Sequence, residues 1–127
     1  MKILLDTNFI LTCIKQKIDF SSRANEIINQ EIEWIVPQDV LNELDSLKNR
    51  VGIKIKDRES AELSLQIIEN INPKIIKFSD KNPNVDIKIA NYIIEKNIVL
   101  ATLDKKLKSR INNKILTIRG KNNLELI

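Results

Sequence analysis

The chain has 127 residues, 43% hydrophobic and 30% charged, with a formal net charge of +4 and a pI near 9.2. That suits one domain over residues 1–127, expected to be cytoplasmic: no stretch approaches the roughly 18–20 apolar residues of a membrane span, and the N-terminus lacks a signal peptide's order of basic, apolar and small residues. With no histidine and two widely separated glycines, Gly52 and Gly120, composition excludes histidine triads, imidazole zinc sites, Walker loops and G-x-G-x-x-G fingerprints.

Short Ile/Val/Leu-rich runs alternate with longer amphipathic ones. The alternation predicts an α/β fold: a three-layer α/β/α sandwich with a central, mainly parallel sheet of about five strands. The first strand, Lys2 to Leu5, stops at Asp6, and a helix follows over Asn8 to Lys15. It carries the lone cysteine, Cys13, in an apolar run that points to core packing. A helix over Ser22 to Gln30 leads to a strand over Glu33 to Val36. Pro37 is expected at the first position of the next helix, to Lys48, where its missing N–H costs nothing. A helix over Arg58 to Asn70 stops at Asn72-Pro73, before a strand over Ile75 to Phe78. The loop Lys81-Asn82-Pro83-Asn84 opens a helix over Val85 to Glu95. A strand over Ile98 to Ala101, a helix over Lys105 to Ile111 and a strand over Ile115 to Ile118 complete the pattern.

Asp6 and Asp104 each end an apolar strand, and open parallel sheets bind ligands outside the carboxyl ends of their strands. At about 100° per residue, Asp86 shares a helix face with Ala90 and Ile93, and Glu43 lies at the edge of a stripe of Val40, Leu44 and Leu47. Each has a plain reading: Asp6 and Asp104 as helix caps, Asp86 as an acid favoured by the helix dipole, Glu43 as a surface residue. Yet a carboxylate heading an apolar stripe is costly to bury unpaired. Acids converging within about 4 Å would repel by about 4 kcal/mol per pair at an effective dielectric near 20. A divalent cation removes that cost, so the set looks like the acidic site of a metal-dependent nuclease. Asn8 is expected to hold Asp6 through its amide, and the Thr102 hydroxyl to hold a water or a carboxylate. Asp39, Asp45, Asp57 and Asp80 are read as solvated or capping. Two basic runs stand out, Arg50 to Arg58 and Lys105-Lys106-Leu107-Lys108-Ser109-Arg110; such runs are ordinarily solvated, but their place beside the acids favours contact with an RNA backbone.

The motifs Ile3-Leu4-Leu5-Asp6-Thr7-Asn8, Val36-Pro37 followed by Val40-Leu41-Asn42-Glu43-Leu44, Asp86-Ile87-Lys88-Ile89-Ala90 and Ala101-Thr102-Leu103-Asp104-Lys105-Lys106-Leu107 resemble, in this order, those of the PIN domain family. Within it the chain looks most similar to small archaeal PIN proteins related to the rRNA-processing nucleases of the small ribosomal subunit, and next to VapC-type toxins. Asp86-Ile87 departs from the paired aspartates of many such relatives. The resemblance implies a Mg²⁺- or Mn²⁺-dependent endoribonuclease in which Asp6, Glu43, Asp86 and Asp104 bind metal and carry catalysis, supported by Asn8 and Thr102. Cleavage by activated water would leave a 5′-phosphate and a 3′-hydroxyl. Lys105, Lys106, Lys108 and Arg110 are then expected on the RNA backbone. Implied partners are RNA, ribosome-assembly factors or an antitoxin, and a second copy in a homodimer. A PIN-like RNA-binding or assembly module without catalysis is the alternative. A receiver-like signalling domain is disfavoured, because only one acid follows the first strand.

Overall fold

Described over all 127 residues by a computed structural model, the chain runs β1 (Lys2–Leu5), α1 (Thr7–Lys15), α2 (Phe20–Ile27), β2 (Glu33–Pro37), α3 (Gln38–Asn49), α4 (Ile55–Ile71), β3 (Lys74–Ile76), α5 (Val85–Ile93), β4 (Ile98–Ala101), α6 (Lys105–Ser109), β5 (Ile115–Arg119) and β6 (Asn123–Leu126). Residues 3 to 5 of β1 are all buried, as are all four of β4. Runs of that kind suit strands covered on both faces. Both lie at the centre of a six-stranded sheet of order β3-β2-β1-β4-β5-β6.

Alternation along the strands builds two cores. Ile3, Leu5, Trp34, Val36, Val99 and Ala101 face α1 to α4, where Phe9, Phe20, Leu44 and Ala61 pack. Leu4, Ile35, Leu100 and Ile115 face α5 and α6, against Ile89, Ile93 and Leu107. Phe20 sits between Phe9 and Trp34 in edge-to-face contacts, with ring centroids 6.0 and 5.4 Å away. Cys13 is fully buried in the same core, which pushes its thiol up to about 12. No helix is long and apolar enough to cross a membrane.

The expected parallel order holds from β3 to β5, but the sheet has a sixth strand. Asn123–Leu126 pairs antiparallel with β5, with Leu116 opposite Leu126 and Arg119 opposite Asn123. Gly120, at φ +65°, starts the three-residue connection. Several boundaries also move. Pro37 closes β2 with an extended ψ of 142° and caps α3 from outside, instead of entering it. Helix α4 starts at Ile55, and it ends when Asn72 adopts the left-handed conformation. That cap releases the chain early, so β3 starts at Lys74 and is over by Ile76.

Phe20 is 1% exposed and links two aromatic rings. Phe20→Ala should therefore cost about 3–5 kcal/mol in urea unfolding; a loss under about 1 kcal/mol would mean that α2 does not seal this core.

Candidate functional site

Parallel pairing sets Leu5 beside Ala101, and the Asp6 N–H extends the ladder by donating to the Ala101 carbonyl at 3.0 Å. Two residues from opposite ends of the chain are thereby brought together at the carboxyl edge of the sheet. Asp6 Oδ1 accepts from the Thr7 N–H (2.9 Å) and caps α1. Its Oδ2 accepts from the Thr102 hydroxyl at 2.7 Å. That hydroxyl, fully buried, in turn accepts from the Asp104 N–H at 3.1 Å. Asp104 Oδ1 accepts from the N–H groups of Lys106 (2.9 Å) and Leu107 (3.3 Å), capping α6. Both strand-end aspartates are thus helix caps, and one threonine joins them.

The other two acids come from opposite faces of the sheet. Glu43, exposed on α3, has Oε2 held by the Thr7 hydroxyl at 3.0 Å. Thr7 is a site residue that sequence reasoning misses. Its signal is a hydroxyl next to the strand-end acid, but the partner lies 36 positions away. Asp86 is half-buried in the first turn of α5, whose cap is Asn84. Asp104 lies near enough to shift its proton affinity, and it shifts that of Asp104 in turn.

Asn8 does something other than expected. Its Oδ1 accepts from the Leu103 N–H at 3.3 Å, so it ties α1 to the loop after β4 and leaves Asp6 to Thr7 and Thr102. Asp39, read as solvated or capping, is half-buried and paired with Lys88 at 3.0 Å. This pair joins α3 to α5 across a cleft lined by Asp39, Asn42, Glu43, Asn84, Val85 and Asp86. Asp45 and Asp57 pair at the surface with Lys48 and Lys15. Asp80 accepts from the Asn82 N–H and the Asn91 amide, as a loop-capping acid does. Among the basic residues Lys105, Lys106 and Arg110 are exposed, and Arg110 lies near enough to oppose the rise at Asp86. Lys108 is drawn off instead: its ammonium donates to the Thr117 hydroxyl of β5 at 3.3 Å.

No lysine or arginine pairs with any of the four site acids. Asp6 is pushed up to about 6, chiefly by burial and further by Asp86 and Glu43, although its bonds from Thr102 and Thr7 pull the other way. Asp86 is raised by burial, by its contact with Asp104 and by Glu43. Asp104 is held below the ordinary value: burial opposes this, but the Leu107 and Lys106 N–H groups and Asp86 outweigh it. The two carboxyls are thus shifted in opposite directions. Uncompensated oxygen donors without sulfur or imidazole fit a hard cation such as Mg²⁺ or Mn²⁺. No three acids form a ready-made coordination group as the side chains stand, so the fit is one of charge and donor type.

Two outcomes follow from these contacts. Asp6 binds its proton more tightly in the folded chain, at about 6, than at its ordinary 3.8. Folding is therefore favoured below that window and loses stability as pH rises through it, by about 3 kcal/mol at about 1.36 kcal/mol per unit. In chelator-treated protein Asp6→Asn should be more stable than the parent at pH 7, with the gap closing towards pH 4; a parent as stable as the variant at pH 7 would show the charge to be well solvated. For the interlayer pair, a double-mutant cycle with Lys88→Met and Asp39→Asn should give a coupling of about 1 kcal/mol. The exposed Lys48–Asp45 pair should give about half that or less, and equal couplings would remove the case for a clamp.

The likenesses to known proteins converge on one family and one fold. The family described as "PIN like domain" matches residues 3–121. Ribonuclease VapC4 of Methanocaldococcus jannaschii is 31% identical over 98% of this chain and 95% of its own length. The PIN domain endonuclease Utp24 superposes with a TM-score of 0.79 at 24% identity, covering 98% of this chain and 90% of that one. VapBC2 from Rickettsia felis, solved on a DNA fragment from its promoter, does so with a TM-score of 0.65 at 21% identity, covering 94% and 100%. At those identities the two structures speak for the fold alone. The matched span contains all four acids and every element except β6, and the chain belongs to the PIN-like domain family.

Proposed function

We propose that the chain is a Mg²⁺- or Mn²⁺-dependent endoribonuclease, acting in the cytoplasm as one domain of residues 1–127. The observation that supports this reading is that Glu43 and Asp86 lie near enough to Asp6 to raise its proton affinity, while none of the four acids is ion-paired. Asp6, Glu43, Asp86 and Asp104 would hold the ion, which when bound supplies positive charge against the scissile phosphate and lowers the pKa of the attacking water. Thr102 sets the orientation of Asp6 and pins the backbone of Asp104, while Thr7 steadies Glu43. Such outer contacts fix ligands that would otherwise rotate. Lys105, Lys106 and Arg110 take the RNA backbone next to Asp104, a contact that positions a strand without reading its sequence.

Between cellular roles, the likeness in sequence favours a toxin of the VapC type with an antitoxin as partner, since VapC4 matches over nearly the full length of both chains. The likeness to Utp24, at 24% identity, speaks for the fold alone, so a role in rRNA processing beside ribosome-assembly factors rests on the resemblance of the motifs.

Purified protein should cleave RNA with Mn²⁺ or Mg²⁺ and stop with excess chelator, leaving 5′-phosphate ends. Asp6→Asn should abolish cleavage, and Thr102→Val should lower it about 10- to 100-fold. Cleavage that survives Asp6→Asn or chelation would overturn the reading. Induced expression that arrests growth, relieved by a small protein encoded next door, marks the toxin; accumulation of an rRNA precursor on depletion marks the processing enzyme.

A further inference from the structure

The second basic run, Arg50 to Arg58, is used by none of the contacts above. It forms the tip of the hairpin in which α4 folds back along α3, and its composition is unusual for a solvated turn. Val51 is 91% exposed and Ile55 64%, interleaved with exposed Lys54 and Lys56. The one acid in the run, Asp57, is already paired with Lys15 at 2.8 Å. The four basic side chains Arg50, Lys54, Lys56 and Arg58 have no acid within ion-pair distance.

Arg58 closes the run with a guanidinium that no carboxylate meets. It is half-buried in the first turn of α4, and its Nε is enclosed without a hydrogen-bond partner, the single buried side-chain polar atom so left in the chain. The enclosed Nε cannot itself meet a ligand, but a guanidinium that lacks a carboxylate partner is suited to an oxyanion such as phosphate through its terminal N–H groups.

Topology places this tip usefully. Glu43 lies on the same helix as the start of the run, about 10 Å of helical rise before Arg50. In the sheet, α3 follows β2 on one side of β1, whereas α6 follows β4 on the other. The two basic segments therefore flank the acids from opposite sides. We propose that the α3–α4 tip is a second RNA-backbone contact, with Arg58, Lys54 and Lys56 gripping phosphates on the far side of the site from α6, and with Val51 and Ile55 against sugars and bases. This inference rests on the ribonuclease reading.

Its test uses the full chain with Asp6→Asn, so that RNA stays intact, and a fluorescein-labelled RNA of about 20 nucleotides followed by anisotropy from about 50 to 300 mM KCl. Adding Lys54→Gln and Lys56→Gln should weaken binding at least about tenfold at 100 mM KCl. It should also flatten the slope of log affinity against log salt by about 0.7 for each phosphate no longer neutralised. Arg58→Lys, which keeps the charge, should fall between the parent and Arg58→Gln. The lysines are exposed, so unchanged thermal melting confirms that folding is intact. Affinity and slope equal to the parent's in all variants would overturn the tip while leaving the nuclease standing, provided that wild-type protein cleaves RNA. Dimerisation abolished by Val51→Asp, with RNA affinity unaltered, would overturn it in favour of a second copy. If wild-type protein neither binds nor cleaves RNA, both readings fall together.

Discussion

One buried hydroxyl holds the site's two strand-end acids in register. Thr102 donates to Asp6 and accepts from the backbone of Asp104, and it can do so only because β1 and β4 are hydrogen-bonded neighbours although nearly a hundred residues separate them. The adjacency is itself a product of patterning. Runs buried on both faces belong in the middle of a parallel sheet, and their carboxyl ends, where the chain must turn into a helix, demand caps. Aspartate answers that demand at both ends. The two strand-end acids of the candidate site are also caps of the fold.

Such a site works against its own scaffold. Glu43 on α3 and Asp86 on α5 approach the strand-end acids from opposite layers, and each raises the proton affinity of Asp6. Repulsion of this kind would push the layers apart at the cleft. The Lys88–Asp39 pair lies one helical turn from Glu43 and two residues from Asp86, and it closes the same cleft. Being only partly exposed, it is less screened than the surface pairs elsewhere. The chain thus commits one acid in the cleft to structure and keeps its neighbours free of protein cations.

Much of this is legible in the sequence because it follows from short-range patterns. Strand ends locate Asp6 and Asp104, and helix periodicity locates Asp86 and, less sharply, Glu43. The expected fold differs from the observed one mainly by β6, which is obscured because only Leu124 and Leu126 are apolar in a short edge strand. Long-range pairing is what the sequence hides. The Thr7 hydroxyl is concealed in a helix start, the salt bridge between Lys88 and Asp39 joins residues 49 positions apart, and Lys108 turns to a strand that follows it. Asn8 shows the same limit from the other side: two residues from Asp6 in sequence, it reaches across to Leu103 once α1 begins at Thr7. Periodicity reports which face a residue occupies, not which partner meets it there.

The electrostatics also bear on why an acid, and not an amide, stands at the end of β1. A cap needs one acceptor oxygen, and asparagine serves in that role about as well as aspartate. Asp6 is 6% exposed, and burial is the main reason its proton is held more tightly. An amide there would keep the bond from the Thr7 N–H, release the Thr102 hydroxyl to a neutral partner and remove the desolvated charge. A chain under pressure for stability alone would therefore favour asparagine over aspartate at the end of β1. Burying an ionisable group at this position costs the fold stability that an amide would spare, and no lysine or arginine pairs with it to offset that cost.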